Sequence, residues 1–173
     1  VPLKGLDFSL KALKKLKKDF PNIHLIVIGL IKKGGHTEKL IRKLGLENDV
    51  TFKSNLTKNE IKDCYSKSSI AIVSSLYEGF GYPVIEAMSC EIPLIATNVS
   101  SIPELTSEFA KLVDPKNEEM IYQSVKDILS QYDKYKKIAI KGRQHVIKNF
   151  NWIKITDEYE NAIFETIKNH EKC

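Results

Sequence analysis

Two glutamates separated by seven residues bracket a glycine-rich turn in Ser74-Ser75-Leu76-Tyr77-Glu78-Gly79-Phe80-Gly81-Tyr82-Pro83-Val84-Ile85-Glu86. Gly79 and Gly81 permit a positive φ or a close backbone approach, and Pro83 suits the first position of a helix. The amides of Gly79, Phe80 and Gly81 then stand at a helix N-terminus, where unpaired N–H groups and the helix dipole favour an anion. The plainer reading is that both glutamates complement the dipole and the glycines make a tight turn. In a chain of this composition chance supplies about one such Glu pair, so the flanking sequence must decide.

Other candidates carry less. His24 sits in an apolar run and is read as packed or hydrogen-bonded in the core. His36, His145 and His170 have no carboxylate or second histidine at ligand spacing, so no metal site is expected. Ser74 and Ser75 lack the Gly-x-Ser-x-Gly elbow of a hydrolase. Cys64, Cys90 and Cys173 are odd in number and far apart, which points to a reducing compartment and no cysteine chemistry. Asp114-Pro115 reads as a turn.

The elements that would position the glycine turn alternate. Leu6, Leu10, Leu13, Leu16 and Phe20 recur at steps of three and four, one stripe of a helix over 6–20 whose other face carries lysines. Residues 23–28 form a short, β-branched apolar run closed by Gly29, the pattern of a strand buried on both faces of a parallel sheet. A helix over 37–44 ends at Gly45, and 50–53 is a strand. Thr57 with Glu60 forms a capping box that opens a helix to about Ser66. Strands follow at 70–73, 93–96 and 111–113, with a short helix at 83–90 and a helical turn at 102–105 between them. After Asp114-Pro115 three helices are expected, at 118–131, 133–149 and 152–169. Such alternation implies right-handed crossovers and an α/β fold, a Rossmann-like doubly wound parallel sheet with a helical tail. Ligands bind such sheets outside the carboxyl ends of the strands, so the loops after Val73 and Ala96 and the segment before the first helix are the places to look.

Composition narrows the function classes. The 173 residues are 42% hydrophobic and 28% charged, enough for one domain that buries on the order of 70% of its unfolded surface. No run approaches the ~18 uninterrupted apolar residues of a membrane span, and no segment has a signal-peptide layout, so the expected location is cytoplasmic. The net charge is +5, and all but two of the 27 basic residues are lysines. A reader of nucleic acid would favour arginine forks, so none is expected as partner; the lysines fit solvated helix faces. The start at Val1, without Met and three residues before Lys4, reads as a cut through a longer protein.

The run from Glu78 through Ile95-Ala96, continuing to Ser101-Ile102-Pro103-Glu104-Leu105 and Leu112-Val113-Asp114-Pro115, resembles the C-terminal domain of family-4 (group 1) retaining glycosyltransferases with the E-x7-E motif. Lys4-Gly5-Leu6-Asp7 is similar to the lysine-glycine that opens this domain, and Phe150-Asn151-Trp152 to the signature before its last helix. The resemblance implies a GT-B fold of two Rossmann-like halves, with the nucleotide-sugar donor held mainly by the C-terminal half. Residues 1–150 would be that half, lacking its first strand, and 151–173 a C-terminal helix packing toward the N-terminal domain absent from this sequence.

The same match makes Glu78 and Lys4 the catalytic pair, the carboxylate near the transferred sugar and the lysine on the diphosphate. Gly79, Phe80 and Gly81 would line sugar and diphosphate, and Glu86 would accept from the ribose hydroxyls. No metal or other cofactor is implied; the donor is a UDP-, GDP- or ADP-linked sugar, and any contact with the inner face of a membrane is expected through the full-length protein. Breaking the anomeric bond puts negative charge on the nucleoside diphosphate, which preorganised positive potential stabilises. An ionised carboxylate can take both ribose hydroxyls at once. The alternatives are a non-catalytic nucleotide-sugar-binding module on the same fold, or a GT-B sugar epimerase. This chain departs from the family at Gly29-Leu30-Ile31-Lys32-Lys33-Gly34-Gly35, which lacks an acidic residue, at Phe52-Lys53-Ser54, and at Ser101, where glycine is common. Glu104 reads equally as a helix acid or a site residue.

Overall fold

The leucine stripe of the first helix lies under much of the fold. A computed structural model describes residues 2–170; Val1 and Cys173 lie outside the described residues. A 3-10 turn (Pro2–Lys4) leads into α1 (Leu6–Asp19), β1 (Leu25–Ile28), α2 (His36–Leu44), β2 (Val50–Lys53), α3 (Lys58–Ser66) and β3 (Ala71–Val73). Then follow α4 (Tyr82–Ser89), β4 (Leu94–Thr97), α5 (Ile102–Thr106), β5 (Lys111–Val113), α6 (Glu118–Ser130), α7 (Tyr132–Asn149) and α8 (Trp152–His170). The punctuation works as the sequence implies. Gly45 closes α2 at φ 65°, and Thr57 and Glu60 cap α3 reciprocally.

All strand pairs are parallel, β1 with β2 and β3 with β4 with β5, and β4 carries the core. Period-2 alternation sends Leu94 and Ala96 to one face, against Val84, Ala87 and Met88 of α4 and Ile102 of α5. Ile95 points the other way, into Ala12 and Leu16 of α1 and Ile121, Val125 and Ile128 of α6. Leu10 and Leu13 of α1 close a third cluster with Ile41 and Leu46 beside β1 and β2. Helices thus cover both faces, as expected of a doubly wound fold.

The strands are nevertheless divided into a two-stranded and a three-stranded sheet. A cavity of about 730 Å³ is lined by β1, β3 and the inner face of α1. This corrects the expectation that residues 23–28 are buried on both faces. β1 is only half-buried and Ile28 is 42% exposed, because one edge of the strand opens onto that cavity. His24 is corrected for the same reason: it is exposed, and its Nε2 lies 2.8 Å from Thr51 Oγ1. No helix among the described residues is long and apolar enough to cross a membrane.

Candidate functional site

Gly5 decides where Lys4 stands. Its φ of +61° is the left-handed region, and a Cβ there would lie 1.9 Å from the carbonyl oxygen of Ser74, so only glycine lets the turn press onto the end of β3. Three bonds fix that approach: Leu76 N donates to Leu3 O at 2.7 Å, Ser74 Oγ to Lys4 O at 3.1 Å, and Ser9 Oγ to Ser74 Oγ at 2.9 Å. Lys4 is thereby placed over the loop that follows β3, at the carboxyl end of the strand.

Glu78 is buried, at 8% exposure, and its Oε1 accepts from Lys4 Nζ at 2.6 Å and from Ser75 Oγ at 2.7 Å. Burial alone would raise its pKa; the hydrogen bonds from Lys4 and Ser75 and the lysine's charge outweigh it and hold the carboxyl below the usual range. Among the described residues no partner takes Oε2. One carboxylate oxygen is therefore anchored and the other is without a protein partner among the described residues. Ser75 is itself fixed, because Thr97 Oγ1 at the end of β4 donates to its carbonyl at 2.5 Å.

Glu86 lies one turn into α4, beside the same cavity as Lys4, Ser75 and Glu78. Partial burial raises its pKa against the lowering effect of the Tyr65 hydroxyl, which lies 3.5 Å from Oε2. That hydroxyl is also 3.4 Å from the carbonyl of Pro83. The structure thus brings Lys4, Glu78 and Glu86 to one cavity.

Gly79, Phe80 and Gly81 do not line the cavity itself and form its shoulder. Gly81 caps α4 with φ 110° and no side chain satisfies the first turn of that helix. Among the described residues, the N–H groups of Gly79, Phe80 and Gly81 donate to no protein acceptor. The Phe80 ring is 41% exposed and packs on Tyr82 at 5.1 Å and Phe150 at 6.3 Å between centroids. Ser101 Oγ donates to the Phe80 carbonyl at 2.5 Å and has the Glu78 carbonyl within 3.4 Å. A buried carboxylate anchored beside a lysine, a second carboxylate one turn into α4 and unpaired amides at a helix N-terminus can together hold a molecule that is both polyhydroxylated and anionic.

Sequence reasoning missed Ser75, Tyr65 and this role of Ser101. Only Ser75 had a signal, its three-residue spacing from Glu78, the reach of a local side-chain bond. Glu104 lines neither the cavity nor any bond to it. No cluster of three or more His, Cys, Asp or Glu that could hold a metal occurs among the described residues.

The fold is shared with the C-terminal domain of a group 1 glycosyl transferase from Francisella tularensis at 27% identity and TM-score 0.76, covering 88% of this chain and 82% of that one. An Anabaena protein solved in complex with UDP-glucose has the same fold, with TM-score 0.84 at 21% identity over 95% of this chain and 46% of its own. This is the fold of the C-terminal half of GT-B glycosyltransferases. The profile of the glycosyl transferases group 1 family matches residues 1–145, and the chain belongs to that family. It is 29% identical to MMP alpha-(1->4)-mannosyltransferase of Mycolicibacterium hassiacum over 94% of this chain and 41% of the relative, so it spans about two fifths of that protein's length.

Proposed function

We propose that this chain is the donor-binding half of a retaining glycosyltransferase that moves a hexose-type unit from a UDP-, GDP- or ADP-linked donor to an acceptor hydroxyl in glycan, glycolipid or polysaccharide assembly. The observation that carries the reading is the Lys4–Glu78 pair, anchored by Ser75 at the carboxyl end of β3, with Glu86 one turn into the helix that follows the same loop. The mannosyltransferase relative supports a hexosyl donor. The Anabaena protein with UDP-glucose supports a nucleotide-linked one.

In the reaction the anomeric C–O bond breaks and its electron pair goes to the nucleoside diphosphate. Lys4 and the N-terminus of α4 stabilise that charge, so no role is assigned to a metal ion. A new C–O bond forms to the acceptor on the same face, and the acceptor's proton passes to the departing phosphate. Glu86 takes the ribose hydroxyls. Glu78 bonds the sugar hydroxyls and stabilises the positive character that develops at the anomeric carbon.

Residues 1–150 are assigned to the donor domain and 151–173 to a helix that packs toward the acceptor-binding half. The open edges of β1 and β3 support the expectation that this half lacks its first strand. The helix α8 buries none of its residues and exposes Trp152, Ile153 and Phe164, which supports a covering surface outside this chain. The cytoplasm is the proposed location, with membrane contact through the full-length protein.

Calorimetry of this chain with UDP, GDP, ADP and their sugars tests the donor reading. One nucleotide should bind, and the chain alone should transfer nothing. In the full-length enzyme Lys4→Ala and Glu78→Ala should each lose several kcal/mol of transition-state stabilisation. Unchanged turnover in both would overturn the assignment.

A further inference from the structure

A serine at a helix N-cap ordinarily turns its side chain onto its own helix and accepts from a first-turn N–H. Ser101, the N-cap of α5, does not. Its backbone is already helical, with φ −75° and ψ −12°, and its side chain makes no capping bond. The hydroxyl instead reaches across to the loop after β3, donating to Phe80 O at 2.5 Å with Glu78 O at 3.4 Å. The residue before it, Ser100, holds the unfavourable φ of +49°.

Peptide planarity gives this contact a consequence. The carbonyl of residue i and the N–H of residue i+1 share one trans peptide unit and point in opposite directions. Fixing Phe80 O on Ser101 therefore turns the Gly81 N–H away from α5, and drawing Glu78 O to the same hydroxyl does the same for the Gly79 N–H. Neither N–H has a protein acceptor among the described residues. Gly79 has open space where a Cβ would stand, so nothing packs against that side of its backbone.

We propose that Ser101 is a positioning residue for the donor's diphosphate, holding the peptide units 78–79 and 80–81 with their N–H groups turned outward for phosphate oxygens. This rests on the donor reading above. The bond replaces one that α5 forgoes at its own N-terminus, and it reduces the order that the backbone of the glycine loop must gain when an anion arrives.

The test compares Ser101→Ala, Ser101→Gly and Ser101→Thr in this chain. Backbone NMR order parameters of Gly79–Gly81 should fall from the rigid range of about 0.85 toward 0.6 in the alanine and glycine variants. Threonine, which keeps the hydroxyl, should restore them. Titration followed by NMR should show weaker UDP, GDP or ADP binding by about three- to tenfold in the alanine variant. The matching monophosphate should lose less, a split that a purely structural role would not produce. Wild-type order and wild-type diphosphate affinity in Ser101→Ala would overturn the proposal. If the unaltered chain binds none of the three nucleotides, the donor reading fails, and the order parameters still decide whether Ser101 holds the loop.

Discussion

Lys4 Nζ stands 2.6 Å from Oε1 of Glu78, a pair that joins residues 74 positions apart and places a cation beside a buried carboxylate at the end of β3. The lysine side chain is 55% exposed, so its direct contribution to stability is held to less than about 1 kcal/mol. Its main effect is on the state of Glu78.

Replacing Lys4 by Met should therefore raise the Glu78 pKa, because burial then acts against only the Ser75 hydrogen bond. A carboxyl-carbon NMR titration reads this directly. The sign for stability follows: in the unaltered chain the Glu78 pKa lies below its unfolded value of about 4.3, so its contribution is present above that pH and is lost as pH falls through the lower folded value. An upward shift in K4M is required; an unchanged or lower value would contradict the pairing.

Glu86→Gln should cost about tenfold in affinity for the bound nucleoside diphosphate and little for its 2′,3′-dideoxy analogue, since only the ribose diol addresses this carboxylate. Burial raises the Glu86 pKa, so the ribo-to-dideoxy affinity ratio should begin to fall on acidification at a pH above the ordinary glutamate value. The ratio cancels the titration of the phosphates themselves. A ratio independent of both pH and the substitution would remove Glu86 from the ribose site.

Gly5→Ala should destabilise the chain by more than about 2 kcal/mol in urea denaturation, combining left-handed strain with a Cβ driven into Ser74 O. The same variant should detach Lys4 from Glu78, seen as a rise in the Glu78 pKa. Gly45→Ala, whose Cβ would meet only the end of the Lys14 side chain, should cost less.

Ile95 is fully buried where β4 faces α1 and α6, and Ile95→Ala should cost about 2–5 kcal/mol. Ile163→Ala on α8, where the side chain is 56% exposed, should stay within about 0.5 kcal/mol. Equal losses from the two would mean that the core is not where β4 puts it.

Much of this was legible from short-range patterns. The leucines of α1, the Thr57–Glu60 box and Gly45 act over three or four residues, and each stands where its spacing puts it. The glycine turn and both glutamates were also visible, because Pro83 and the flanking apolar runs fix their place on the strand-to-helix junction. What periodicity could not show was set by distance in sequence. The exposure of His24 and the half-buried state of β1 depend on which strand edges meet, and an apolar run carries no information about its neighbours. Ser75 and Ser101 are short polar side chains whose bonds to Glu78 and Phe80 are decided by loop geometry.

The segment Leu3–Lys4 is bound to the site through the bond from Leu76 N to Leu3 O, the bond from Ser74 Oγ to Lys4 O and the lysine on Glu78. These contacts make it thermodynamically reciprocal with the loop. Any displacement of Leu3–Lys4 from the end of β3 withdraws a cation from Glu78, and any anion that draws Lys4 onto itself biases where that segment rests. The stretch that leads into α1 is therefore both a reporter of occupancy and a lever upon it.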